Sequence, residues 1–289
     1  MTEWQRVYGA NYIASYARNA AEVWSRFDAE IVDRELGYAQ RLGLNSVRVW
    51  LDYRPYQTNP ALMLSRIDQF LDLCAKHELR AMLVLFDSCG VEEEELRKKG
   101  LAADPHWKTW TPNPGYRYLG PEHWEKLEAY VKDIVGAHLK DPRVLAWDVM
   151  NEPWAGKIWE DPQQKLVVTR FVRHFCERVR SLNPEAPITV GMTFLDRAEL
   201  VEDLIGVISF HRYFGPNADT WAAHLEEANQ YAQLKGKPIL LTEWGYPTWG
   251  AQQHAGRIIT DDEQARFYQE ILPVLMRSKI GWHIFDLMM

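Results

Sequence analysis

The sequence predicts a single (β/α)8 barrel spanning residues 1–289, on three observations. Short apolar runs recur eight times along the chain, each long enough for one buried strand. Stretches with helical spacing separate most of them. No repeat, low-complexity tract or linker breaks the alternation, and strand–helix alternation within one unit builds a parallel sheet that eight strands can close.

The strands are expected at Val7–Tyr12, Ser46–Leu51, Ala81–Phe86, Val144–Met150, Ile188–Met192, Val207–Phe210, Ile239–Thr242 and Trp282–Phe285. Leu64, Ile67, Leu71 and Cys74 repeat at three- and four-residue spacing. So do Trp124, Leu127, Val131, Ile134 and Val135, and likewise Phe171, Val172, Phe175, Val179 and Leu182. Each set forms one apolar face of a helix. Thr260 and Glu263 have capping-box spacing and open a helix carrying Phe267, Ile271 and Leu275. Gly43 stands where a helix should stop before a strand. Met289 follows Phe285 so closely that no eighth helix is expected after the last strand.

Composition narrows the function. Hydrophobic residues make up 47% and charged residues 25%, which excludes a disordered or collagen-like chain. No apolar run is long enough to cross a membrane. Net charge is −7 without a basic cluster, so no nucleic-acid partner is expected. Cys74, Cys89 and Cys176 are too few and too scattered for a disulfide framework or a zinc site. The first six residues, Met1 to Arg6, lack the apolar stretch of a signal peptide, which favours a cytosolic protein and is also consistent with a mature secreted one. Oligomeric state is left open. Thirteen Trp is a high count, and Trp serves both cores and stacking surfaces.

In such barrels the active site lies at the C-terminal ends of the strands. Those ends read Asn11-Tyr12, Arg48-Val49-Trp50, Asp87-Ser88, Asn151-Glu152-Pro153, Met192-Thr193, His211-Arg212-Tyr213, Glu243-Trp244-Gly245 and Phe285-Asp286. Nearly every end carries a polar or aromatic group. Glu152 after the fourth strand and Glu243 after the seventh would face each other across the mouth. Two facing carboxylates are what glycoside hydrolysis requires, one to protonate the leaving oxygen and one to attack or to activate water.

Trp147-Asp148-Val149-Met150-Asn151-Glu152-Pro153 resembles the fourth-strand signature of clan A glycoside hydrolases, most closely the cellulase/mannanase-type family 5 enzymes. Thr242-Glu243-Trp244-Gly245 resembles their seventh-strand nucleophile motif. Arg48 and His211-x-Tyr213 extend the match over essentially the whole chain. The resemblance implies a retaining enzyme acting on a β-linked gluco- or manno-configured carbohydrate, with Glu152 as acid/base, Glu243 as nucleophile and no cofactor. The acid should have a raised pKa from burial and a neighbouring carboxylate. Arg48 and Tyr213 would keep Glu243 ionised. Asn151 would donate to the sugar 2-hydroxyl, and His211 would either line the pocket or be structural.

Two positions depart from the family pattern. Asp87-Ser88 stands where a His is usual, so Asp87 would either touch a sugar hydroxyl or cap the next segment. Phe285 stands where a Trp usually forms the floor, with Trp282 three residues earlier. Trp50, Trp107, Trp110, Trp154, Trp159, Trp244 and Trp249 follow strand ends, and His106, Tyr116 and Tyr118 lie in the long third loop. Together they form an expected carbohydrate-binding rim. Two other functions share these residues. Asp87, Glu152, His211 and Glu243 could hold Mn²⁺ or Mg²⁺ in a sugar isomerase or epimerase, or the barrel could bind carbohydrate without turnover.

Overall fold

The computed structural model describes residues 2–98, 110–183, 185, 187–213, 217–246 and 260–288. Its first half runs β1 (Tyr8–Tyr12), α1 (Ala20–Ser25), α2 (Ala29–Arg41), β2 (Ser46–Trp50), α3 (Tyr53–Thr58), α4 (Pro60–Lys76), β3 (Arg80–Asp87), α5 (Glu93–Lys98), α6 (Trp124–Ala137) and β4 (Val144–Asn151). The second half runs α7 (Lys157–Glu160), α8 (Pro162–Leu182), β5 (Ile188–Met192), β6 (Ile208–Arg212), α9 (Ala218–Lys235), β7 (Ile239–Trp244), α10 (Asp261–Ser278) and β8 (Gly281–Ile284). Each strand pairs in parallel with the next, and β1 pairs with β8 to close the barrel.

The β5–β6 connection holds a short 3-10 segment, Leu195–Leu200, instead of an α-helix. Among the described residues no helix follows β8. No described helix is long and apolar enough to cross a membrane.

Local chemistry starts the helices where the sequence places them. Asp28 caps α2 through the amides of Glu30 and Ile31, and Asp161 caps α8 ahead of Pro162. At α10, Thr260 and Glu263 form the reciprocal capping box. Gly43 follows α2 with φ 75°, a left-handed turn that glycine adopts without strain. Ile67, Leu71 and Cys74 of α4, with Leu127, Val131, Ile134 and Val135 of α6, are buried against the outside of the barrel.

The strands reach further toward the mouth than apolar runs alone predict. Ladder irregularities between Phe210 and His211 and between Leu241 and Trp244 carry β6 and β7 onward, pairing His211 with Glu243. Such irregularities re-aim side chains beside active sites.

The interior is layered. Val7, Met82, Leu145, Ala146, Val207 and Leu240 plug the bottom. Above them His283 Nε2 lies 2.9 Å from Ser46 Oγ. A Cβ on Gly9 would sit 2.4 Å from the His283 ring, so the close approach of β1 to β8 requires glycine there. Burial, then the charge of Arg48, pulls His283 down to about 3, which makes it a neutral core residue.

Candidate active site

Above His283, charged groups replace apolar ones. Arg48 on β2 is fully buried and uses all five of its N–H donors. Nε and Nη2 donate to Asp148 Oδ2 at 2.9 and 2.8 Å. Nη2 also donates to Asn151 Oδ1 at 2.7 Å, while Nη1 donates to Asn11 Oδ1 at 3.0 Å and Glu243 Oε1 at 2.6 Å. Burial alone would favour loss of the Arg48 proton, but the charges of Asp148 and Glu243 outweigh it and hold the guanidinium cationic. Asn11 in turn donates to the carbonyls of Thr242 and Ile284, tying β1 to β7 and β8 beneath the mouth.

Glu243 stands at the top of β7, with Arg48 on Oε1 and the Tyr213 hydroxyl donating to Oε2 at 2.5 Å. Burial, together with the Glu243 charge, pushes the Tyr213 phenol well up, so it remains a donor. Across the mouth Glu152 adopts a left-handed backbone with φ 44°, a conformation that costs about 1–3 kcal/mol and clusters at functional sites. Its N–H donates to the Gly191 carbonyl at 2.7 Å, and the Ser88 hydroxyl donates to its own carbonyl. His211 Nδ1 lies between the two carboxylates, 2.7 Å from Glu152 Oε1 and 3.4 Å from Glu243 Oε2.

The expected upward shift of Glu152 is not found: its pKa is lowered. Burial does push this carboxyl up. The hydrogen bond and charge of His211, the Cys89 thiol and the Arg48 guanidinium together more than reverse it, leaving the value below the ordinary one. The cause is donor supply: both Glu152 oxygens receive hydrogen bonds.

Asp87 does not open onto the cleft. It is buried and accepts from the Cys89 N–H at 2.8 Å and from Asn151 Nδ2 at 3.0 Å. It therefore caps the third loop and orients Asn151. Burial first, with the charges of Glu243 and Glu152 adding to it, raises its pKa well above the usual range.

Several aromatic residues expected at the rim lie in the core instead. Trp154 is buried and donates to Thr169 of α8. Trp244 and Trp282 face outward, packing on each other, with Trp244 also against Trp221, Phe267 and Tyr268 of the helix layer. Trp159 lies under the guanidinium of Arg197 and the ammonium of Lys165. Inward-facing aromatics are fewer. Trp50 lies under Arg48, and with Trp110, Phe285 and Tyr213 it forms a wall beside Glu243, the ring centroids 4.9–6.3 Å apart. Tyr116 donates to the Ser88 carbonyl, and Tyr118 packs on Tyr53 and His123. His106, Trp107 and Trp249 lie outside the described residues.

A cavity of about 750 Å³ opens beside Glu152 and His211, running between Thr193–Arg197 and the α9 residues His224 and Glu227. Glu152, His211 and Glu243 each bring a ligand-type atom within 4.8 Å of the others. A cation there would compete with Arg48 and Tyr213 for Glu243, and Asp87 is directed elsewhere, so the donor set fits two organised carboxylates better than a metal.

Sequence reasoning missed three members of the site. Asp148, an acid within an apolar strand, was a readable signal. Gly191 must lack a side chain because a Cβ would lie 2.6 Å from Arg48 Nη2. Cys89, considered in the sequence only to exclude a disulfide framework or zinc site, places Sγ 3.0 Å from Glu152 Oε2.

The chain is similar to known proteins over most of its length. The model of the cellulase family, glycosyl hydrolase family 5, matches residues 29–288. A β-glucuronidase of Paenibacillus borealis is 26% identical over 145 residues, covering 48% of this chain and 22% of that protein. A β-xylosidase of Phanerodontia chrysosporium is 20% identical over 280 residues, covering 87% of this chain and 55% of that protein. The chain therefore spans about a fifth and about half of the lengths of these relatives. The endo-β-1,4-mannanase structure from Thermotoga petrophila superposes with a TM-score of 0.67 at 15% identity, covering 97% of this chain and 67% of that one. At that identity the likeness establishes the barrel fold alone.

Proposed function

The chain belongs to glycosyl hydrolase family 5, and on that premise we propose that it cleaves β-linked gluco- or manno-configured glycosides with retention, by double displacement. Glu243 attacks the anomeric carbon as the glycosidic C–O bond breaks, and the proton of Glu152 goes to the departing oxygen. Water then gives a proton to Glu152 and its oxygen to the anomeric carbon, and Glu243 leaves as a carboxylate.

One observation carries this reading: the two carboxylates meet at His211 Nδ1 but have different surroundings. Glu243 is held by two donors, Arg48 and Tyr213, as an attacking carboxylate must be. Glu152 adjoins the cavity of about 750 Å³ in which a leaving group would lie. Oxygens of the pair lie within 4.8 Å, which favours direct attack over the separation of roughly 6.5–9.5 Å that leaves room for an inverting water. The similarity to a β-glucuronidase and a β-xylosidase supports a β-linked substrate.

The test uses aryl β-D-glucosides and β-D-mannosides with leaving groups of graded acidity. Glu152→Ala should slow phenyl glycosides by about 10²–10⁴-fold while sparing dinitrophenyl glycosides, because acidic phenols leave without a proton. Proton NMR of the first-formed sugar should show the β anomer. Equal losses on both substrates, or an α product, would refute the assignment.

A further inference from the structure

We propose that Cys89 is a positioning residue for the acid/base: its thiol donates to the ionised carboxylate of Glu152 and so sets the pH at which the free enzyme loses its catalytic proton. This rests on the reading of Glu152 as the acid/base.

The geometry gives the thiol a single direction. The Cys89 N–H is fixed on Asp87 Oδ1 at 2.8 Å, which anchors the start of the third loop. Asn151 Nδ2 approaches Sγ at 3.6 Å, and Sγ lies 3.0 Å from Glu152 Oε2. The sulfur thus accepts from Asn151 and donates to Glu152. Burial, together with the charges of Glu152 and Asp87, keeps the thiol protonated and available as a donor.

The two Glu152 oxygens differ in consequence. Oε1 faces His211 Nδ1 at 2.7 Å, whereas Oε2 is held by the weaker S–H donor alone among the described residues. A weak donor supports the carboxylate when it is ionised and gives way when the acid carries its proton toward a leaving oxygen. Groups facing Glu152 come from four strands: Arg48 from β2, Asp87 and Cys89 from β3 and its loop, His211 and Tyr213 from β6 and its end, and Glu243 from β7. Only Cys89 can be changed among them without removing a charge or a group that touches Glu243.

Removing the donor destabilises ionised Glu152, raises its pKa and moves the basic limb of kcat/KM upward. The experiment measures kcat/KM against pH on phenyl β-D-glucoside and phenyl β-D-mannoside for the wild type, Cys89→Ala, Cys89→Ser and Glu152→Gln. Cys89→Ala should move the basic limb up by about half to one pH unit, as expected for loss of one weak hydrogen bond to a charge. Cys89→Ser restores a donor, so its limb should stay at or below the wild-type position. An unmoved limb in Cys89→Ala, or an equal upward shift in Cys89→Ser, overturns the proposal, because packing alone would treat the two variants alike. Glu152→Gln separates the two levels. Loss of the basic limb there upholds Glu152 as the acid, and a limb that persists overturns that assignment together with this proposal.

Discussion

Arg48 Nη1 lies 2.6 Å from Glu243 Oε1, and neither side chain is more than 5% exposed. A buried pair like this contributes little net stability unless every donor and acceptor is satisfied, and here Asp148, Asn151 and Asn11 complete the set. The guanidinium therefore organises more than it stabilises. It holds Glu243 and Asn151 in place at the mouth through direct hydrogen bonds.

Arg48→Lys tests that role. Lysine keeps the charge but is a point donor that cannot span four partners on three strands. The expected loss in kcat/KM is about 10²–10³-fold, the size seen when one preorganised donor is removed from a catalytic site. Steady-state kinetics on an aryl β-glycoside checks it, and activity within fivefold of wild type would show that charge alone suffices.

Gly191 gives an independent approach to the same arginine. A Cβ there would meet Arg48 Nη2 at 2.6 Å, Asp148 Oδ2 at 3.0 Å and His211 Nε2 at 3.2 Å. Gly191→Ala therefore pushes on the charge network from the opposite wall. Overpacking of this kind costs about 1–3 kcal/mol, and activity should fall more than tenfold because the displaced side chains, Arg48 and His211, also contact Glu243 and Glu152 through their other nitrogens. Urea unfolding midpoints measured beside kcat would separate the two effects. A variant that loses stability but keeps full activity would mean that the network absorbs the methyl group elsewhere.

These residues also show what a sequence discloses about such a site. Glu152 and Glu243 were readable because each follows an apolar strand within a distinctive motif. The eight strands were readable from their apolar runs, with ends displaced by a residue or two where ladder irregularities extend them. Trp244 was misjudged because the shift between Leu241 and Trp244 leaves Glu243 inward and the next residue outward, so position at a strand end does not determine facing. Trp282 was misjudged for a different reason. Alternation with inward His283 and Gly281 already placed it on the helix side, a period-two signal outweighed by the search for the family's floor tryptophan. Cys89 was beyond reach, because its contact with Glu152 depends on how the third loop folds back. The pKa of Glu152 was beyond reach as well, since it depends on how many donors converge.

His283 offers a last prediction, one layer below the two carboxylates. Its ring is fully buried beneath Arg48, with Nε2 on Ser46 Oγ, and its pKa falls from 6.5 to about 3. Between those values the unfolded chain binds a proton at this residue and the folded chain does not. Stability contributed by neutral His283 is therefore complete above about pH 6.5 and is lost as pH falls toward 3. The slope from one such group is about 1.4 kcal/mol per pH unit. His283→Gln keeps an amide that can reach Ser46 but removes the titration. Guanidinium unfolding of both proteins at several pH values from 7 to about 4 should show a wild-type stability that falls more steeply than that of the variant, by about one proton. Carboxylates that titrate in the same window affect both proteins equally and cancel in the difference. Parallel curves would mean that protonated His283 is accommodated in the folded barrel, which its burial and the nearby Arg48 charge argue against.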